Sequence, residues 1–178
     1  MQSGLPYSAV DLQLLRELNA TKEVIHQYNA LIPSQTEELR SILKDLLGHI
    51  GDDHICINQP FYCDYGQHIS VGKRFFANFN FTVLDEARVT IGDDCFVGPN
   101  VGIYTACHST DPVERNTRLE WARAVTIGNN VWIGGGVIIL AGVTIGDNVT
   151  IGAGSVVTHD IPSNTIAVGN PCRPIKSI

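Results

Sequence analysis

The sequence lacks the features that would place it in several broad classes. Its five cysteines, Cys56, Cys63, Cys95, Cys107 and Cys172, are odd in number and include no C-x-x-C pair. That argues against a disulfide framework and against a zinc ribbon, and no metal site is expected. There is no basic excess. Twelve Lys and Arg stand against 18 Asp and Glu, a net charge of −6, so nothing supports nucleic-acid binding. No apolar run approaches the length of a membrane span, and the N-terminus carries no charged-then-apolar leader pattern. A cytoplasmic chain without a membrane partner is expected. The 178 residues suit one domain with a small appendage.

What the sequence does have is a period of six. From Val125 to Val157 an aliphatic residue recurs at Ile127, Ile133, Ile139, Ile145, Ile151 and Val157. A companion register runs through Val125, Val131, Val137, Val143 and Val149, and glycine follows the first at Gly128, Gly134, Gly146 and Gly152. Neither a helix nor a two-layer sheet has this period. It marks a parallel β-helix, in which each hexapeptide is one short strand and one corner. The repeat begins earlier, with Val71, Ala77, Val83 and Val89 on one register and Ile91, Val97 and Ile103 on another. About two residues are therefore inserted near Asp85-Glu86. Between Tyr104 and Ala124 the pattern vanishes into the polar segment His108-Ser109-Thr110-Asp111-Pro112-Val113-Glu114-Arg115-Asn116 and then resumes in phase. Residues 104–124 are expected to form one extended loop, and a long loop in a rigid repeat is usually functional.

The first residues differ in kind. Leu12, Leu15, Val24, Ile25 and Tyr28 have helical spacing, as do Leu39, Ile42, Leu43, Leu46 and Leu47. Ser34-Gln35-Thr36-Glu37 has the form of a capping box, and Gly48 is the expected C-cap. The organisation expected is a helical cap over residues 1–58 that covers the open first coil, then a β-helix over 59–178.

Polar residues that interrupt the pattern are the candidates for chemistry. His108 opens the loop, and histidine titrates near neutral pH, as a general base must. Its neighbour Cys107 points to the opposite face of an extended chain, so the two do not make a dyad. Asn78 breaks the ladder and could steady a developing charge. Trp132 stands between Val131 and Ile133 and so faces outward, as a partner contact or a ligand platform. Gly134-Gly135-Gly136 would let backbone N–H groups approach a ligand. Arg173 and Lys176 form a basic pair suited to an anionic cofactor.

Together these residues resemble the maltose and galactoside O-acetyltransferases, the maltose type most. The resemblance is carried by the hexapeptides, by Cys63-Asp64-Tyr65-Gly66, Phe76-Ala77-Asn78-Phe79-Asn80 and the His108 loop. Ile127 to Gly135 and Gly169-Asn170-Pro171-Cys172-Arg173 extend it, so it covers nearly the whole chain. It implies a left-handed parallel β-helix, a homotrimer with sites between subunits, and transfer of acetyl from acetyl-CoA to a hydroxyl of a small sugar. It also implies roles. His108 is the general base, Asn78 stabilises the transition state, and the Gly135 N–H occupies the oxyanion position. Asp64 and Glu86 match sugar-contacting positions, with Asp11 as the N-terminal sugar carboxylate. Trp132, Ala153, Thr158, His159, Arg173 and Lys176 match the coenzyme site. His159 stands where lysine is usual, and Arg118-Leu119 replaces a small glycine-containing pair. Three other readings share the fold: a zinc carbonic-anhydrase-like enzyme, a non-catalytic assembly subunit, and an N-acetyltransferase acting on amino sugars or sugar nucleotides. The zinc reading requires three convergent histidines. The subunit has no need of His108, Asn78 and Trp132 together. The N-acetyltransferase differs only in its acceptor pocket.

Overall fold

A computed structural model describes residues 1–178, and the expected parallel β-helix is its architecture, of about six turns. The strands are two to five residues long and fall in strict rotation on three flat faces. The first face stacks His49–Ile50, Ile69–Val71, Val89–Ile91, Val125–Ile127 and Thr144–Ile145. The second stacks Cys56–Ile57, Phe76–Ala77, Phe96–Val97, Trp132–Ile133, Val149–Ile151 and Thr165–Val168. The third stacks Phe61–Cys63, Phe81–Leu84, Gly102–Tyr104, Ile138–Ile139 and Val156–Val157. Register is set by burial. Ile91 pairs with Ile127, and Ile127 with Ile145, so each inward aliphatic lies on its copy and all are buried. Full burial of each such side chain contributes roughly 1.5–3 kcal/mol. A slip by one residue would turn the stack outward.

The insertion near Asp85-Glu86 is present. Val89 pairs with Ile69 and with Val125, so after the insertion it belongs to the companion register. Asp85 turns its carboxylate inward, where Oδ1 accepts from the N–H groups of Asp64 at 3.0 Å and Tyr65 at 2.9 Å.

Two helices precede the coils, α1 (Leu12–Ala30) and α2 (Thr36–Leu46). They cover the open end, with Ile25, Tyr28, Leu43 and Leu46 buried in the same core as the first coils. Tyr28 reaches across to donate to the Ile57 carbonyl at 2.5 Å. The β-helix itself begins at His49–Ile50, inside the 1–58 segment. The capping box does not form, because the N-cap of α2 is Gln35 and no side chain caps it. Gly48 is not a left-handed C-cap either. Leu47 ends the helix, and Gly48 is glycine because a Cβ there would lie 2.2 Å from the Gln67 carbonyl oxygen. No helix is long and apolar enough to cross a membrane.

The segment 104–124 is more ordered than a loop. Ala106–His108 and Leu119–Ala122 form an antiparallel hairpin around a short helix, α3 (Pro112–Arg115). Asp111 caps α3 through Val113 N–H. The N-terminal strand Tyr7–Ser8 adds to the hairpin's free edge, which leaves Leu119–Ala122 in the middle.

Candidate active site

The hairpin leaves the coil between the third face and the first, and His108 ends its first strand. Directly opposite, on the central strand, is Glu120. Its Oε1 lies 3.6 Å from His108 Nε2. Its Oε2 accepts a hydrogen bond from the Tyr7 hydroxyl at 3.0 Å. Tyr7 is the cross-strand partner of Glu120 on the other side, so the three side chains form one row across three strands. The His108 side chain is 53% exposed and that of Glu120 only 16%. At 3.6 Å the carboxylate is long for a hydrogen bond but close enough to stabilise a positive charge on the ring. Burial, followed by the charges of Glu120 and Glu86, raises the Tyr7 hydroxyl pKa well above the usual range, so Tyr7 stays a donor.

A cavity of about 150 Å³ lies against this row. Tyr7, Glu120, Asp64, Glu86 and Tyr65 line it, and Leu14 and Leu18 of α1 roof it. A second hollow, holding His108, Arg115 and Arg118, shares Ala9 and Glu120 with it. Glu86 is raised to about 8, by burial first and then by hydrogen bonding to Asp64 and the Asp64 charge. Glu86 therefore keeps its proton at neutral pH. The Thr105 hydroxyl contacts Glu86 Oε2 at 3.4 Å. The pair thus offers acceptor oxygens and one donor, a set suited to neighbouring hydroxyls.

The other residues singled out from the sequence gather at a different corner. Asn78, Trp132, Gly135 and Ala153 line one groove of about 630 Å³, along the second face and its turn into the third. Trp132 is 59% exposed and faces outward, in a lateral row with Phe96 and Thr150. The Asn78 Oδ1 accepts from Phe79 N–H at 2.8 Å, which leaves its NH2 group free to donate into the groove. Gly134 and Gly136 spend their N–H groups on Ile151 and Pro99 carbonyls, whereas the Gly135 N–H has no internal acceptor. The groove therefore presents two unspent donors beside an aromatic wall.

Arg173 and Lys176 are exposed on the last strand, Arg173–Ser177, which runs antiparallel at the edge of the same face. Lys176 pairs with Ile166, which pairs with Thr150, which pairs with Trp132. Three strand spacings place Lys176 about 14 Å along the wall from Trp132. Thr158 and His159, joined by a 2.7 Å contact between Oγ1 and Nδ1, sit after the Val156–Val157 strand, at the turn from the third face to the first. They are thus on His108's corner, not on Trp132's. Asp11 is the N-cap of α1, where its Oδ1 accepts from Gln13 and Leu14 N–H groups. A single chain thus holds the candidate residues in two groups, on different corners of the prism.

Glu120 and Tyr7 were not singled out from the sequence. A glutamate in a polar loop carries no signal until the hairpin pairing is known. Tyr7 lies 113 residues from its partner.

The chain is similar to several known proteins. Residues 1–51 match the family described as "Maltose acetyltransferase hexapeptide capping motif", and 124–159 match "Bacterial transferase hexapeptide (six repeats)". The Escherichia coli galactoside O-acetyltransferase is 43% identical over 88% of this chain and 77% of its own. A maltose O-acetyltransferase from Clostridium difficile superposes with a TM-score of 0.97 at 50% identity, covering 99% of this chain and 94% of that one. A galactoside acetyltransferase in complex with coenzyme A superposes at 0.95 with 39% identity, covering 98% and 87%.

Proposed function

The chain belongs to the maltose and galactoside O-acetyltransferase family of hexapeptide-repeat acyltransferases, and from that premise we propose that it moves acetyl from acetyl-CoA to a hydroxyl of a small sugar. The observation that carries this reading is the row Tyr7–Glu120–His108, set against a cavity of paired carboxylates.

The sugar sits with neighbouring hydroxyls on Asp64 and Glu86. His108 takes the proton of the reacting hydroxyl as its oxygen attacks the thioester carbonyl carbon. Glu120 stabilises the imidazolium that results, and Tyr7 holds Glu120 in place. The Asn78 NH2 group and the Gly135 N–H are the donors for the negative charge that develops on the former carbonyl oxygen. Collapse of the tetrahedral intermediate breaks the C–S bond, and the sulfur leaves as the thiol with the proton that His108 carries. Trp132 packs on the pantetheine arm beside Ala153, while Arg173 and Lys176 meet phosphate farther along the wall.

His108 and the Asn78–Gly135 pair must act on one carbonyl, yet they occupy different corners of one chain. A homotrimer resolves this. The His108 corner of one subunit, with Thr158 and His159, lies against the Trp132 wall of the next, and the groove between them closes over the coenzyme. The compartment we propose is the cytoplasm, where acetyl-CoA is at hand. Asp11, engaged at the helix N-cap through Oδ1, has Oδ2 left to meet the sugar.

The test is release of free CoA across a panel of sugars, amino sugars and glycosides, with His108→Ala in parallel. The variant should lose roughly a hundred- to ten-thousand-fold in kcat with acetyl-CoA binding unchanged. Turnover of amino sugars alone would overturn O-acetylation, and a variant that keeps most of its kcat would overturn the role of His108.

A further inference from the structure

Helix α1 roofs two neighbouring cavities, and acetyl transfer as described uses only one. Leu14 and Leu18 face the carboxylate cavity at Glu86. Further along the same helix, Glu17, Ala20, Thr21 and Val24 face a second cavity of about 440 Å³, floored by Tyr65, Gln67 and His68 and bounded by Asp45. Tyr65 lines both. It is the partition between them, and it is a built partition. Its backbone N–H is held by Asp85 Oδ1 at 2.9 Å, and its carbonyl accepts from the Thr21 hydroxyl at 3.3 Å. Its ring packs on His68, with centroids 5.3 Å apart. Burial raises its phenol to about 12, followed by the charges of Glu86 and Asp64 on one side and of Glu17 on the other.

The first cavity is small. Its 150 Å³ lies below the roughly 300–1,000 Å³ of typical ligand sites, and the two together fall inside that range. The second cavity's lining is that of a polyol site. The carboxylates of Glu17 and Asp45 accept hydroxyl protons. His68 has Nδ1 2.5 Å from the Asp85 carbonyl, so Nδ1–H is the donor there and Nε2 is left to accept. Two carboxylates also disfavour an acidic sugar.

We propose that the cavity under Glu17, Ala20 and Thr21 is a second acceptor subsite, continuous with the first across Tyr65, which makes the preferred acceptor a neutral oligosaccharide rather than a monosaccharide. This rests on the sugar O-acetylation reading. The unit that is acetylated lies at Asp64 and Glu86, and the unit linked to it crosses Tyr65 into the second cavity. Neither Ala20 nor Glu17 touches the reacting atoms, so both act on acceptor length alone.

The experiment compares kcat/KM for glucose, maltose and maltotriose, and for galactose and lactose, in the wild type, Ala20→Trp and Glu17→Leu. Ala20 is exposed on α1, so a tryptophan there fills the cavity without entering the core. In the wild type, a disaccharide should exceed its monosaccharide by about tenfold or more, the value of one or two added hydrogen bonds. Ala20→Trp should abolish that advantage and Glu17→Leu should reduce it. Both should leave the monosaccharide kcat/KM and the acetyl-CoA KM unchanged, which also reports that the variants are folded. Equal efficiency for short and long acceptors in the wild type, or a length advantage that survives both variants, would overturn the subsite alone. Transfer to no sugar of any length by a protein that binds acetyl-CoA would overturn the sugar reading beneath it.

Discussion

Glu120 and His108 face each other across two antiparallel strands, with Oε1 3.6 Å from Nε2. A partly buried carboxylate at that distance stabilises the positive charge that the ring acquires as it takes the hydroxyl proton, so removing the carboxylate charge should slow turnover. Glu120→Gln keeps the shape and the acceptor for Tyr7 while removing the charge. We expect kcat/KM at neutral pH to fall about tenfold. The KM for acetyl-CoA should stay unchanged, because Glu120 lies on the hairpin and not on the Trp132 wall. A kcat/KM left near the wild-type value would reduce Glu120 to a packing residue.

Glu86 gives a prediction about stability. Its carboxyl is raised from 4.5 to about 8, by burial first and the neighbouring Asp64 next. Between those values the folded protein keeps a proton that the unfolded chain has released. Stability therefore declines as pH rises through that window and levels off above it. Glu86→Gln removes the linkage. The wild-type Tm should fall between pH 5 and 8 more steeply than that of the variant, and the variant should be the more stable at pH 8 by a few degrees. Parallel Tm–pH curves from thermal scans would show that Glu86 is not the group responsible.

At the end proposed for the coenzyme, Arg173 and Lys176 are exposed cations in an acidic protein, on the wall that carries Trp132. Loss of a phosphate contact made equally in ground and transition states weakens binding and leaves turnover alone. Arg173→Ala with Lys176→Ala should raise the KM for acetyl-CoA about tenfold, with kcat within about twofold. The wild-type KM should itself rise with salt, and the variant's should rise less. Initial-rate kinetics at two ionic strengths decide it, and an unchanged KM would return both residues to the solvated surface.

The solenoid was legible because its inward positions obey one rule. Ile127 must stack on Ile91 and Ile145, and a stacking rule repeated every six residues leaves a periodic trace. Outward Trp132 followed from the same alternation. The partners in the proposed active site left no such trace. Glu120 reaches His108, and Tyr7 reaches Glu120, through pairing that depends on a hairpin with no period and on a strand from the far end of the chain. Local signals misled where tertiary contact decided. Ser34-Gln35-Thr36-Glu37 has the composition of a capping box, yet α2 starts one residue later with no side-chain cap. Gly48 is glycine for the sake of the Gln67 carbonyl, not of the helix it follows.

The last strand reverses direction. Every earlier strand on the second face runs parallel to its neighbours, and Arg173–Ser177 alone runs against them. A stack of identical coils is in principle unlimited, since its final edge is a template for the first coil of another molecule. Arg173–Ser177 covers that edge on the second face, and it is exposed and carries Arg173, Pro174 and Lys176, charge and proline being what discourages pairing at a free edge. The helices α1 and α2 close one end of the stack, and at the other the two cations we assign to coenzyme phosphate also guard an open edge against pairing with another molecule.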